Sequence, residues 1–186
     1  MILNKAIVFD FFGVICSEVA PMWFGEYFNE EESKKLKDFY FKSFDLGQTK
    51  EEDLMNDLAS IANTTSDQVN IEFQRLIKID PKVVKLIKKL KLTHKIALCS
   101  NGGSNFVRKI IEDNKLADLF DVIIISGEYG IIKPDIKIYE IVLEKLSLKP
   151  EDCIFIDDNN ANVKIAEQIG MKGITYSSIQ DILSLK

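Results

Sequence analysis

Residues 5–15 read KAIVFDFFGVI, and this stretch decides the fold. Four consecutive apolar residues, 6–9, run into Asp10 with no inside–outside alternation, the mark of a short strand buried on both faces. An aspartate at the end of such a strand is delivered to the crevice where open parallel sheets bind ligands. Similar runs recur at 96–99, 122–125, 153–156 and 173–176. Helix-length segments with apolar residues three and four apart separate them. In PKVVKLIKKLK, Val83, Val84, Ile87 and Leu90 form one stripe and the lysines the opposite face. In KIYEIVLEKL, Ile138, Ile141, Val142 and Leu146 do the same. Gly170 closes VKIAEQIG as a left-handed helix stop. This alternation predicts an α/β fold, a three-layer Rossmann-like parallel sheet with helices on both faces.

Residues 16–79 break the pattern. They hold no convincing strand and read as aromatic-rich helices, too long for a crossover. Thr49 with Glu52 forms a capping-box pattern, and Thr65 or Ser66 opens the last helix. The expected division is a core of residues 1–15 and 80–186 carrying an inserted helical cap, 16–79, hinged near Cys16–Ser17 and Ile79–Asp80.

The 186 residues are 46% apolar and 28% charged, with a net charge of −5, a balance that disfavours nucleic acid or an anionic membrane as partner. No apolar run approaches the roughly 20 residues that span a bilayer. The first strand begins so near Met1 that no leader is expected, which predicts a cytoplasmic protein. Cys99 and Cys153 lie in apolar runs and read as buried thiols. The single histidine, His94, lies between helix and strand, so cysteine–histidine catalysis is a poor reading.

The other chemistry-bearing residues fall where strand ends converge. Ser100 and Asn101 follow the second run, Lys133 precedes Pro134 at the expected start of a helix, and Asp157 and Asp158 follow the fourth. A carboxylate such as Asp10 can attack phosphorus and form an aspartyl phosphate. Three crowded carboxylates repel one another unless a hard cation sits among them, and Mg²⁺ fits an all-oxygen set. Ser100 and the amides after it suit phosphate oxygens at a helix N-terminus. Lys133 would tie Asp10 to the phosphate.

As a set, DFFGV, CSNG, GIIKPD and IFIDDNNANV resemble the four motifs of the haloacid dehalogenase superfamily. The small helical cap between the first two motifs is similar to its subfamily IA. LGQTKEEDLMNDLA and DDNNANV resemble the branch containing the N-terminal phosphatase domain of soluble epoxide hydrolases and the sugar-phosphate phosphatases. The resemblance implies Asp10 as nucleophile, and Asp10, the Phe12 backbone carbonyl and Asp158, with Asp157, as the Mg²⁺ site. It also implies Ser100, Asn101 and Lys133 as phosphate binders. Asn162 stands where some relatives carry a further acid of the metal shell.

Phe12 departs from that pattern. Phosphatases of the family carry an acid two residues after the nucleophile, which protonates the leaving group and later activates water; phenylalanine does neither. The expected activity is Mg²⁺-dependent hydrolysis of small organic phosphate monoesters, sugar phosphates or nucleotide-like, slowed by Phe12. One alternative is a weak or silent phosphate-binding protein. Another is a 2-haloacid dehalogenase, whose motif also has an aromatic at this position but whose substrate carboxylate is typically held by a cap arginine; Arg75 and Arg108 are the only arginines here. Substrate choice is expected in the cap, with Trp23 and Phe24 as candidate contacts. The expected partner is a small phosphorylated metabolite, and the chain a monomer or weak homodimer.

Overall fold

Every residue of β1 (Ala6–Phe9) is buried, and its alternate side chains enter two different cores. Ile7 and Phe9 join one apolar cluster, Ala6 and Val8 the other. Strand geometry sends successive side chains to opposite faces, so a strand without polar positions requires cover on both. The structure, a computed structural model, describes residues 5–185. The start of the chain, on which the leader argument rests, lies outside them. No helix among the described residues is long and apolar enough to cross a membrane.

Four helices follow β1: α1 (Val19–Tyr27), α2 (Glu30–Asp45), α3 (Glu51–Ile61) and α4 (Ser66–Leu76). Then come α5 (Pro81–Leu90), β2 (Lys95–Ser100), α6 (Ser104–Asp113), β3 (Val122–Ile125) and the single turn α7 (Ser126–Tyr129). The chain ends with α8 (Ile136–Leu146), β4 (Cys153–Asp157), α9 (Asn160–Gln168), β5 (Lys172–Thr175) and a final 3-10 segment. The sheet is wholly parallel, in the order β3-β2-β1-β4-β5. The α/β parallel-sheet expectation therefore holds, with β5 one residue earlier than its apolar run suggests. Strand order reverses at β1, between β2 and β4. Phe9 pairs with Leu98 and Ile156, so Asp10 emerges level with Cys99 and Asp157.

Local chemistry explains most boundaries. Asp80 caps α5 by accepting from the amides of Lys82 and Val83, with Pro81 in the first turn. Thr65 caps α4 by accepting from the Gln68 amide. Two expectations fail. Thr49 is not a cap: its hydroxyl bonds Ser43 Oγ, and α3 starts after Lys50 without a side-chain cap. Pro134 is not the first residue of α8; a cis Lys133–Pro134 bond places it in a turn, and Asp135 caps the helix. Two buried stripes also shift. Leu86 joins Val83, Ile87 and Leu90 in α5 while Val84 is half-buried, and Tyr139 and Leu143 are buried in α8 where Ile141 is only partly so.

The chain leaves and re-enters the sheet layer along two paired segments. The Ser17 amide donates to Lys78 O at 3.0 Å, and the Asp80 amide to Ile15 O at 2.9 Å. Ser17 Oγ donates to Leu76 O and accepts from the Lys78 amide. Beyond this neck the four helices share an aromatic interior that is continuous with the apolar cluster on one face of the sheet. Trp23, Phe24, Phe41 and Phe73 meet in one group, edge to face except for the stacked pair Phe41–Phe73, and the Trp23 indole donates to Glu72 at 2.7 Å.

Candidate active site

At the end of β1 the Asp10 carboxylate accepts from the Phe11 amide at 2.7 Å and meets Lys133 Nζ at 2.7 Å. The same Nζ lies 2.7 Å from Asp157 Oδ2, so one buried ammonium joins two strand-end carboxylates. Burial works against that ammonium, but Asp10 and Asp157 outweigh it and raise its pKa. Burial also pushes the Asp10 carboxyl well above its ordinary value, against the pull of Lys133 and aided by Asp157.

Lys133 comes from the loop between α7 and α8, not from a strand end. Its position is set by Asn101: the Lys133 amide donates to Asn101 Oδ1 at 2.8 Å, and Asn101 Nδ2 donates to Lys133 O at 3.0 Å. Asn101 therefore clamps the lysine loop while also lining the cavity. Ser100 is fully buried, donates to Asn101 O at 3.0 Å and does not line the cavity.

The two adjacent aspartates have different surroundings. Asp157 is fully buried; besides Lys133 it accepts from the Asn159 amide at 2.8 Å and from Asn162 Nδ2 at 3.0 and 3.1 Å. Those bonds occupy most of its acceptor capacity. Asp158 lines the cavity with no side-chain partner among the described residues, and burial, then Asp157, raises its pKa. It leans over Gly13, where φ is +81° and a Cβ would fall 2.2 Å from Asp158 Oδ2. Glycine there permits both the turn and the approach.

Oxygens of Asp10, Asp157 and Asp158 come within 4.8 Å of one another. One lysine cannot neutralise three carboxylates; burial first, and then the charge of Asp157, raises the pKa of both Asp10 and Asp158. An all-oxygen set under that charge load fits a hard divalent cation such as Mg²⁺.

Above these groups lies a cavity of about 130 Å³. Its far wall is aromatic: Phe12, Phe41, Phe44, Phe73 and Phe106 line it, with Glu18, Lys37 and Asp45 as the charged residues among them. Phe12 stacks on Phe106, whose other neighbours are Phe44 and Phe73. Trp23 and Phe24 take no part. Both are fully buried, because α1 packs that face against α2 and α4, Phe24 on Phe41 and Trp23 on Phe73. Of the lining phenylalanines, Phe12 is singled out by its motif and Phe41 and Phe44 by the aromatic richness of their segment, whereas Phe73, Phe106, Asp45 and Ser126 carry no local sequence signal that they converge.

Residues 4–170 match the haloacid dehalogenase-like hydrolase family, and the chain belongs to it. It is 25% identical to a sesquiterpene phosphatase of Aspergillus oryzae over 91% of this chain and 88% of that protein. It is 29% identical to drimenol cyclase of Aspergillus calidoustus over 75% of this chain, which spans only 28% of that enzyme's length. In fold it is similar to a haloacid dehalogenase family enzyme from Bacteroides thetaiotaomicron solved as a magnesium complex, with a TM-score of 0.81, 20% identity and 97% of each chain covered.

Proposed function

We propose that the chain is a Mg²⁺-dependent phosphatase acting on small organic monophosphates, with Asp10 as nucleophile. The observation that carries this reading is the Asp10–Lys133–Asp157 chain at the sheet's reversal point, with Asp158 free beside it. Asp10 would attack phosphorus and release the leaving alkoxide; water would then cleave the aspartyl phosphate. Lys133 holds Asp10 in place and faces the charge that develops on the phosphoryl oxygens. Asp157, Asn162 and Asn101 are positioning residues for Lys133. Asp10, the Phe12 carbonyl and Asp158 would hold Mg²⁺, which supplies charge neutralisation for the phosphoryl group. In this reading residues 16–79 are a cap that opens at the neck of 15–17 and 78–80 to admit substrate.

The cavity wall narrows the substrate. Asp10, Asn101, Lys133, Asp158, Asn159 and Asn162 gather on the phosphate side of the cavity, while five phenylalanines with Val19 and Ala20 line the remainder beside Glu18, Lys37 and Asp45. The apolar part of that lining suits an apolar or aromatic leaving group, which buries well against such a wall. The sesquiterpene phosphatase relative points the same way. Dehalogenation is disfavoured because neither arginine lines the cavity: Arg75 is paired with Glu26 and Arg108 with Glu128.

Phosphate release from a panel of monophosphates, with and without Mg²⁺, tests the reading. Turnover is expected to vanish on chelation, return with Mg²⁺, and favour apolar-tailed over sugar phosphates. Turnover that persists under chelation, or chloride release from a 2-haloacid instead, would overturn it.

A further inference from the structure

Phenylalanine at position 12 leaves the leaving group without a proton donor from the sheet, and the cap brings a different carboxyl to the same cavity. Asp45, at the end of α2, lines it together with Asp10, Phe12 and Lys133. Its backbone is pinned to the core: Ser126 Oγ donates to Asp45 O at 2.5 Å and accepts from the Gly102 amide at 3.0 Å. Two residues on, Gly47 has φ +71° and lies so close to Gly127 that a Cβ would come 2.3 Å from its carbonyl oxygen. The Phe12 ring reaches Gly102 as well, since a Cβ there would sit 3.6 Å from Phe12 Cε2. Phe12 and Asp45 are thus gathered at one residue, the first by ring contact and the second through Ser126.

Resting on the phosphatase reading above, we propose that Asp45 is the general acid and base of this enzyme, acting from the cap in the role that Phe12 cannot fill. In the first half-reaction an Asp10 oxygen bonds to phosphorus and the bond from phosphorus to the leaving oxygen breaks. The Asp45 proton passes to that oxygen, so the product leaves as a neutral alcohol. In the second, the Asp45 carboxylate takes a proton from water, whose oxygen bonds to phosphorus as the bond to Asp10 breaks. Inorganic phosphate leaves, with Asp10 ionised and Asp45 protonated again.

The environment of Asp45 suits that alternation. Burial pushes its carboxyl up to about 7, against the fields of Lys37 and Lys133 and with that of Glu18. A group near neutrality holds and releases a proton with comparable ease. Glu128, on the neighbouring α7, is occupied by Arg108. Glu18 lines the cavity too, under the charges of Lys37, Asp158, Lys133 and Asp157, and is the competing carboxyl that Glu18→Gln separates from Asp45.

The test is kcat/KM with Mg²⁺ across pH for 2-phenylethyl phosphate, whose alkoxide needs a proton, and 4-nitrophenyl phosphate, whose phenolate does not. Asp45→Asn is expected to lower the alkyl value by about 10²–10⁴-fold while sparing the aryl value, the scale of losing a general acid. The parent's alkyl activity should fall as pH rises through an apparent pKa near 7, and that limb should vanish in the variant. Asp45→Glu, which keeps a titrating group, should retain the limb and guards against a misfolded asparagine variant; folding of both is checked by thermal unfolding. An equal fall on both substrates, no fall on either, or loss of the limb in Glu18→Gln would overturn the assignment and leave the phosphatase reading intact. A parent inactive on both substrates would remove the phosphatase reading, and this inference with it.

Discussion

The two walls of the cavity are built on opposite principles. On the sheet side every polar group but one is tied: Asp10, Lys133, Asp157, Asn101 and Asn162 form a closed set of hydrogen bonds and ion pairs. Asp158 is the exception: it lines the cavity with no side-chain partner among the described residues. On the opposite side stand phenylalanines from both units, Phe41, Phe44 and Phe73 from the cap with Phe12 and Phe106 from the core, and the charged cap residues Glu18, Lys37 and Asp45 carry no short ion pair of their own among the described residues. A bonded network in low dielectric fixes positions and charge states, whereas an aromatic wall selects by shape and area. Under the proposed function, this contrast assigns phosphoryl chemistry to the fixed side and leaving-group recognition to the aromatic one.

The hardest test of the sheet side is Asp10→Asn. An amide is nearly the same shape but a poor nucleophile, so turnover should drop by about 10³-fold or more with the fold retained. Activity near the parent level, measured on protein purified away from host phosphatases, would place the chemistry elsewhere. Lys133→Ala strikes the same network through charge. It leaves Asp10 and Asp157 buried without their cation, which costs about 3–5 kcal/mol at neutral pH. A folded pKa raised above the unfolded one means that the native state binds the proton more tightly, so that loss should shrink as pH falls. Denaturant unfolding at pH 5 and pH 8 checks both points; equal losses at the two pH values would show that Lys133 acts through packing alone.

That network was largely legible in the sequence, and the aromatic wall was not. Asp10, Asp157 and Asp158 each follow an unalternating apolar run, and a parallel sheet carries all such ends to one edge. Lys133 was found by its motif, although the loop holding it and its clamp by Asn101 exist only once the chain is folded. Phe106, Phe44 and Phe73 come from three helices whose apolar stripes look alike, so nothing in their spacing says which rings meet a ligand. Nearness in sequence misled for Trp23: close behind Asp10 in the chain, it is carried by α1 into the interior of the helical unit. Asp45 reads as an ordinary acid at a helix end until Ser126 and Gly127 show what that end touches.

Trp23→Phe turns this lesson into a measurement. It removes an indole bond to Glu72 and some volume from a fully buried site, while Tyr27 and Gln68 still satisfy the carboxylate. A loss of about 1–2 kcal/mol is expected in denaturant unfolding, with KM unchanged for every substrate. A substrate-dependent change in KM would return Trp23 to the cavity wall.

The smallest effect has the opposite sign. Asp45 titrates near 7 in the folded chain against about 4 when unfolded. Its contribution to stability is therefore fully present below the unfolded value and is lost as pH rises through the folded one. Asparagine never ionises, so Asp45→Asn should match the parent at pH 4 and exceed it at pH 8. Partial exposure reduces the difference to the order of 1 kcal/mol, or roughly 2–4 °C in Tm for a chain of this size. Every other titrating group is shared by the two proteins and cancels in the comparison. A variant that is less stable at pH 8 than its parent would mean that Asp45 is held as a stable carboxylate, bonded like the groups of the sheet wall. The contrast between the two walls would then fail at the residue on which the proton path depends.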